Sequence, residues 1–236
     1  MAFILTEEQQ MMVDLARDFS KKEIAPVSEK MDREAKFVPG LIEQLAGLGF
    51  MGINVPEEYG GAGLDEVTKA LVIEEFAKVD ASVAEMLSVH TLSSDIILRN
   101  GTEEQKKKYL TKACQGCVGA FALTEPNAGS DAAGQQTQAV YDEATDEYII
   151  NGGKIFTTNS GFADTCIVFA LTDKTIGTKG ISAFIVPLKD DEGNRTPGVT
   201  VSENIKRMGI RAASNCEVSY ENVRVPAANR LGKEGQ

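Results

Sequence analysis

The chain has 236 residues, of which 42% are hydrophobic and 25% charged, with a net charge of −11 and four cysteines. These proportions suit one large or two medium globular domains, and no apolar run nears the ~20 residues of a membrane helix. The acidity argues against a nucleic-acid partner, but not against a small anion held at a local positive site. The N-terminus, MAFILTEEQQ, carries neither a basic n-region nor an Arg-rich transit pattern, so a cytoplasmic location is expected.

The first half has helical periodicity. Thr6-Glu7-Glu8-Gln9 forms a capping-box pattern before a stripe of Met12, Leu15, Ala16 and Phe19, which Pro26 interrupts or restarts. Pro39 opens a second helix with Leu41, Ile42, Leu45 and Leu48 inward and Gly47 and Gly49 as its stop. Tyr59–Gly63 is glycine-dense but lacks both phosphate-loop patterns, so it is expected to connect helices. A third helix starts at Asp65 with Leu71, Val72 and Phe76, and a fourth runs from about Val83 to Leu98 and stops at Asn100-Gly101. His90 lies in its apolar pattern, which favours a packed or hydrogen-bonded residue over a catalyst. Thr102-Glu-Glu-Gln repeats the capping box before a short basic helix.

Beyond residue 117 the period changes to that of strands. The runs are Val118–Leu123, Gln136–Tyr141, Tyr148–Ile150, Lys154–Thr158, Thr165–Leu171, Ile181–Val186, Val199–Asn204 and Glu217–Tyr220. Asn151-Gly152-Gly153 predicts a tight hairpin between two of them. The expected fold class is α+β: an all-α domain over residues 1–117, an antiparallel β-barrel or sandwich over 118–226, and a linker over 227–236.

Two segments carry most of the chemistry. FALTEPNAGSD, Phe121–Asp131, feeds a strand into a flexible turn with hydroxyls at Thr124 and Ser130, an arrangement that brings polar groups to a flat ligand. A strand ending in a well-capped turn explains it about as well. In KIFTTNSG, Lys154–Gly161, Phe156 could face an aromatic ring and Thr157 and Thr158 its edge, although β propensity alone accounts for these residues. Cys114 and Cys117 form a CxxC without the further ligands of a zinc site, and free thiols are expected.

Taken in order, VPEEYGGAGLD (55–65), GTEEQKKKYL (101–110), GAFALTEPNAGSDA (119–132), NGGKIFTTNSGFAD (151–164) and KRMGIRAASNCEVSYENVRVP (206–226) resemble the acyl-CoA dehydrogenase family, nearest its short-chain, butyryl-CoA type. The resemblance implies an N-terminal helical domain, a middle β domain and a C-terminal four-helix domain, with FAD as cofactor and a homotetramer of whole subunits. It implies α,β-dehydrogenation of a short-chain acyl-CoA, with electrons passed to electron-transferring flavoprotein. By position, Phe121, Leu123 and Thr124 would meet the flavin's pyrimidine edge. Gly129 would admit its close approach, and Ser130 would bond the cofactor and line the acyl-CoA channel. Phe156, Thr157 and Thr158 would line the flavin's other side, near N5.

The family's C-terminal domain, which holds the catalytic glutamate, would begin where this sequence ends. The chain is therefore expected to lack the base, to bind FAD weakly and to be inactive alone; the resemblance gives Glu125 no part as that base. Two other readings stay open: a non-catalytic module holding a CoA ester or a partner flavoprotein, and a flavin oxidase or monooxygenase relative of the same architecture.

Overall fold

A computed structural model describes residues 4–190 and 192–235. Helix α1 (Glu7–Phe19) starts at the Thr6 capping box, where Gln9 N–H donates to Thr6 Oγ1 and Thr6 N–H to the Gln9 side chain. It passes through a π turn, Ser20–Ile24, into α2 (Ala25–Glu34). Pro26 lacks an N–H, and the widened turn carries the chain past the missing bond without breaking the axis. The buried stripe of α1 is Val13, Ala16 and Phe19; Leu15 is 37% exposed, because the face is set by contact with Phe50 and Phe76, whose rings lie 6.0 Å from Phe19.

Helix α3 (Leu41–Gly47) buries Leu41 and Leu45 but leaves Leu48, its C-cap, 40% exposed. Gly60–Gly63 then folds back on residues 52–55, and the Gly61 Cα lies so close to the Val55 carbonyl that a Cβ would fall 2.0 Å from its oxygen. This is the helix connector that the sequence predicts. Helix α4 (Glu66–Ala77) is capped by Asp65 and α5 (Ala81–Asn100) by Asp80, whose carboxylate accepts from Ser82 and Val83 N–H. Short helices α6 (Glu103–Gln105) and α7 (Thr111–Cys114) flank a second π turn.

The second half is a mostly antiparallel β structure. Its strands are β1 (Gly119–Ala122), β2 (Gln138–Asp142), β3 (Glu147–Thr158), β4 (Thr165–Leu171), β5 (Ile181–Pro187), β6 (Val199–Val201), β7 (Asn215–Pro226) and β8 (Arg230–Leu231). The order is β6-β7-β3-β2-β4-β5-β8, with β1 beside β4. The β1–β4 and β2–β4 pairings are parallel; all others are antiparallel.

The hairpin expected at Asn151–Gly153 does not form: β3 runs straight through it as one 12-residue strand. Gly152 instead sits at a register shift against β7, with φ +148° and its Cα against Thr137. A glycine-rich pair between two apolar runs thus marks a bulge and a close approach. One core crosses the whole molecule: Phe50, Phe76, Met86 and Leu87 from the helices pack continuously with Val118, Ala120, Ile150, Val168 and Phe184 from the strands.

Candidate functional site

The two segments singled out in the sequence lie side by side. Ile155 N–H donates to the Thr124 carbonyl at 2.9 Å, so the outgoing end of β1 meets the last turn of pleat in β3. Beneath this junction is an almost wholly buried lysine. Lys154 Nζ donates to the Leu123 carbonyl (3.0 Å), to Glu125 Oε1 (2.8 Å) and to Gln135 Oε1 (2.9 Å), which uses all three of its protons.

The Glu125 carboxylate also accepts from the N–H groups of Gln136 (2.5 Å) and Thr137 (3.0 Å). Burial pushes the Glu125 carboxyl up, but the Lys154 ammonium and these N–H donors outweigh it and hold the group below the ordinary carboxylate range. Burial draws the lysine the other way, toward losing its proton. The full set of donors around Glu125 and of acceptors around Lys154 keeps the pair ionised.

Upon this base stands a surface. Phe121 is half-buried and edge-on to Phe169, with centroids 5.4 Å apart, and Leu123 and Thr124 are half-buried beside it. Phe156 is 57% exposed and has φ +56°. A left-handed aromatic residue costs about 1–2 kcal/mol, and such strain gathers where a side chain must be presented. Thr158 is nearly buried and Thr157 fully so; Thr157 lies beneath the surface and its Oγ1 has no partner among the described residues.

The turn after Glu125 closes when Glu125 and Ala128 exchange backbone hydrogen bonds of 3.1 and 3.0 Å, and it carries Gly129 and Ser130 out into solvent. A Cβ on Gly129 would meet nothing within 4 Å, so the chain's own packing does not require a glycine there. The Lys154–Leu123 and Ile155–Thr124 bonds thus bring the residues that follow β1 beside the Phe156 end of β3, with Gly129 and Ser130 on the adjoining turn. An outward aromatic ring, the hydroxyls of Thr124 and Ser130 and an open glycine fit a flat cofactor with donors and acceptors at its edge.

Helix α5 closes one side of this surface. Thr158 Oγ1 donates to Glu85 Oε1 at 3.5 Å and accepts from Asn215 Nδ2 at 3.2 Å, while Arg207 Nη1 donates to Glu85 Oε2 at 3.2 Å. Asn159 Nδ2 donates to the carbonyls of Met86 and Gly119 and so fixes β3 to both α5 and β1. His90 is fully buried; Gly119 N–H donates to its Nδ1 (3.1 Å), which leaves Nε2 to donate to the Met51 carbonyl (2.9 Å). Burial pushes this imidazole down to about 4, so it is a neutral structural link, in keeping with the sequence reading.

Glu85, Lys154, Asn215 and Arg207 had no place in the sequence-based site. The signal for Lys154 was a charge at an inward strand position, matched by the acid of the partner segment. For Glu85, Asn215 and Arg207, only folding shows that they meet. Two cavities, of about 420 Å³ beside Phe37 and Phe162 and about 610 Å³ beside Tyr109 and Pro187, include none of the surface residues.

Comparison with known proteins completes this picture. Residues 6–117 match the family model for the acyl-CoA dehydrogenase N-terminal domain and residues 120–223 that for the acyl-CoA dehydrogenase middle domain. The short-chain specific acyl-CoA dehydrogenase of Clostridium acetobutylicum is 43% identical over all of this chain and 61% of its own length. The butyryl-CoA dehydrogenase structure from Megasphaera elsdenii superimposes with a TM-score of 0.92 at 44% identity, covering 100% of this chain and 61% of that one. A chain from a study of the electron transferring flavoprotein of Acidaminococcus fermentans gives 0.93 at 46% identity, covering 100% and 60%. This chain thus spans about 60% of the length of the relatives it matches.

Proposed function

The chain belongs to the acyl-CoA dehydrogenase family, and on that premise we propose that it forms the flavin- and thioester-facing wall of an FAD-dependent dehydrogenase of short-chain acyl-CoA, such as butyryl-CoA. The observation that carries this reading is the surface over the Glu125–Lys154 pair, with Phe156 turned outward at positive φ beside Thr124. Phe121, Leu123 and Thr124 would hold one edge of the flavin, and Phe156 and Thr158 the other, with Thr157 in support beneath. Ser130, exposed on its turn, would serve both cofactor and CoA ester, and Gly129 would leave room for them.

FAD supplies the hydride acceptor when bound. The residues of the chain orient it, exclude water from one of its faces and fix donors and acceptors at its edge. Of the carboxylates at the site, neither Glu125 nor Glu85 is free to take the α proton. Glu125 is enclosed by Lys154 and two backbone N–H groups, and Glu85 is paired with Arg207. We assign the base to the part of the whole protein that this chain does not include. In that whole protein, a cytoplasmic homotetramer, electrons would leave to an electron-transferring flavoprotein.

The test is titration of the chain with FAD, followed by flavin fluorescence and calorimetry. Saturable binding is expected, and Phe156→Ala should weaken it about fivefold, the worth of one lost aromatic contact. Absence of saturable binding would overturn the reading. Butyryl-CoA binding that ignores FAD would point instead to a CoA-ester module.

A further inference from the structure

We propose that Glu85 is a positioning residue that takes up the Thr158 hydroxyl proton and so makes this end of β3 a hydrogen-bond acceptor toward bound flavin. The inference rests on the flavin-wall reading above. Its basis is the valence of one oxygen. A threonine hydroxyl has one proton and two lone pairs. Ionised Glu85 can only accept, and its Oε1 lies 3.5 Å from Thr158 Oγ1. The hydroxyl proton is thereby directed at Glu85. Asn215 Nδ2 then fills one lone pair at 3.2 Å. What remains to face a ligand is the second lone pair.

Arg207 holds Glu85 in this orientation. Its Nη1 donates to Oε2 of Glu85, and its Nη2 is anchored on the carbonyls of Ile210 (2.6 Å) and Ala213. One carboxylate oxygen is thus occupied and the other aimed at Thr158. Glu85 and Arg207 are 26% and 20% exposed, enough shelter for the pairing to hold an orientation. Oxidised flavin offers an acceptor at N5 and reduced flavin an N–H donor. A lone pair presented by Thr158 matches the reduced form, so Glu85 tilts the site toward reduced flavin without touching it.

The test compares the affinity of the chain for oxidised FAD and for dithionite-reduced FAD by anaerobic calorimetry. Glu85→Gln keeps the shape. Its single oxygen is drawn to Arg207, its amide N–H₂ turns to Thr158, and the hydroxyl proton swings toward the ligand. The preference for reduced over oxidised FAD should fall about fivefold, and Glu85→Ala should lower it in the same direction. In a Thr158→Val background the fall should disappear, leaving only the opposite effect of the lost charge.

Loss of charge alone has the opposite sign, since removing an anion favours the anionic reduced flavin. A ratio that rises or stays fixed, or that falls equally without the Thr158 hydroxyl, overturns the inference while the flavin wall stands. Failure of the unsubstituted chain to bind either form overturns the wall itself, and this inference with it.

Discussion

Lys154 is 1% exposed and Glu125 6%, and together they join the two segments on which the proposed site is built. Removing one member of a buried pair leaves the other charge without compensation, which costs more than the pair itself contributes. Glu125→Gln should therefore lower stability by about 3 kcal/mol in urea unfolding at neutral pH, and Glu125→Leu with Lys154→Met should recover part of that loss. The pH dependence has a definite sign. The folded Glu125 carboxyl lies below its ordinary range, so its stabilisation is complete above the unfolded carboxylate value and is lost as pH falls through the folded one. An acid-unfolding curve that Glu125→Gln leaves unchanged would refute the assignment.

Among the elements, β3 shows best what the sequence reveals and what it conceals. Its 12 residues read as two strands because Asn-Gly-Gly has hairpin composition, and only the partner strands show that the glycines serve a bulge. A Cβ on Gly152 would fall 2.6 Å from the Thr137 Cα, a backbone atom that cannot step aside, and φ is +148°. Gly152→Ala should cost about 2–3 kcal/mol. Gly153→Ala, whose nearest neighbour would be the Val218 carbonyl oxygen at 3.9 Å, should cost far less. Thermal unfolding of the two variants separates the readings: equal losses would mean that Gly152 is only a flexible link. Local signals were legible where one residue decides them. The Thr6 and Thr102 capping boxes form as read, and β4 spans the run Thr165–Leu171 as read. The inward face of α1 and the length of β7 were not, because contacts distant in sequence decide them.

At the scale of the whole molecule, polar links join the helical and β halves across the seam at two places. At one, Gln105 Nε2 donates to the carbonyls of Ala228 and Arg230, and Tyr109 to Asn229 Oδ1. At the other, the His90 ring takes the Gly119 N–H and gives its own to Met51. The ordered motifs were legible in sequence as those of a family; these links were not, since each joins residues with no common pattern. His90 also makes the seam sensitive to pH. Its folded value, about 4, lies below the ordinary histidine value of 6.5, so between the two the unfolded chain binds the extra proton. Stability is therefore full above about pH 6.5 and declines as pH falls toward 4, by a total on the order of 3 kcal/mol. Most of this window lies above the carboxylate range in which Glu125 acts, so the two can be told apart. Urea unfolding between pH 7.5 and pH 4, about the span of the histidine titration, should show that slope. His90→Asn should lower stability at neutral pH and flatten the slope, because asparagine has no proton to gain. A slope of the same size in the variant would place the titrating group elsewhere, and the seam would then owe nothing to the neutral imidazole.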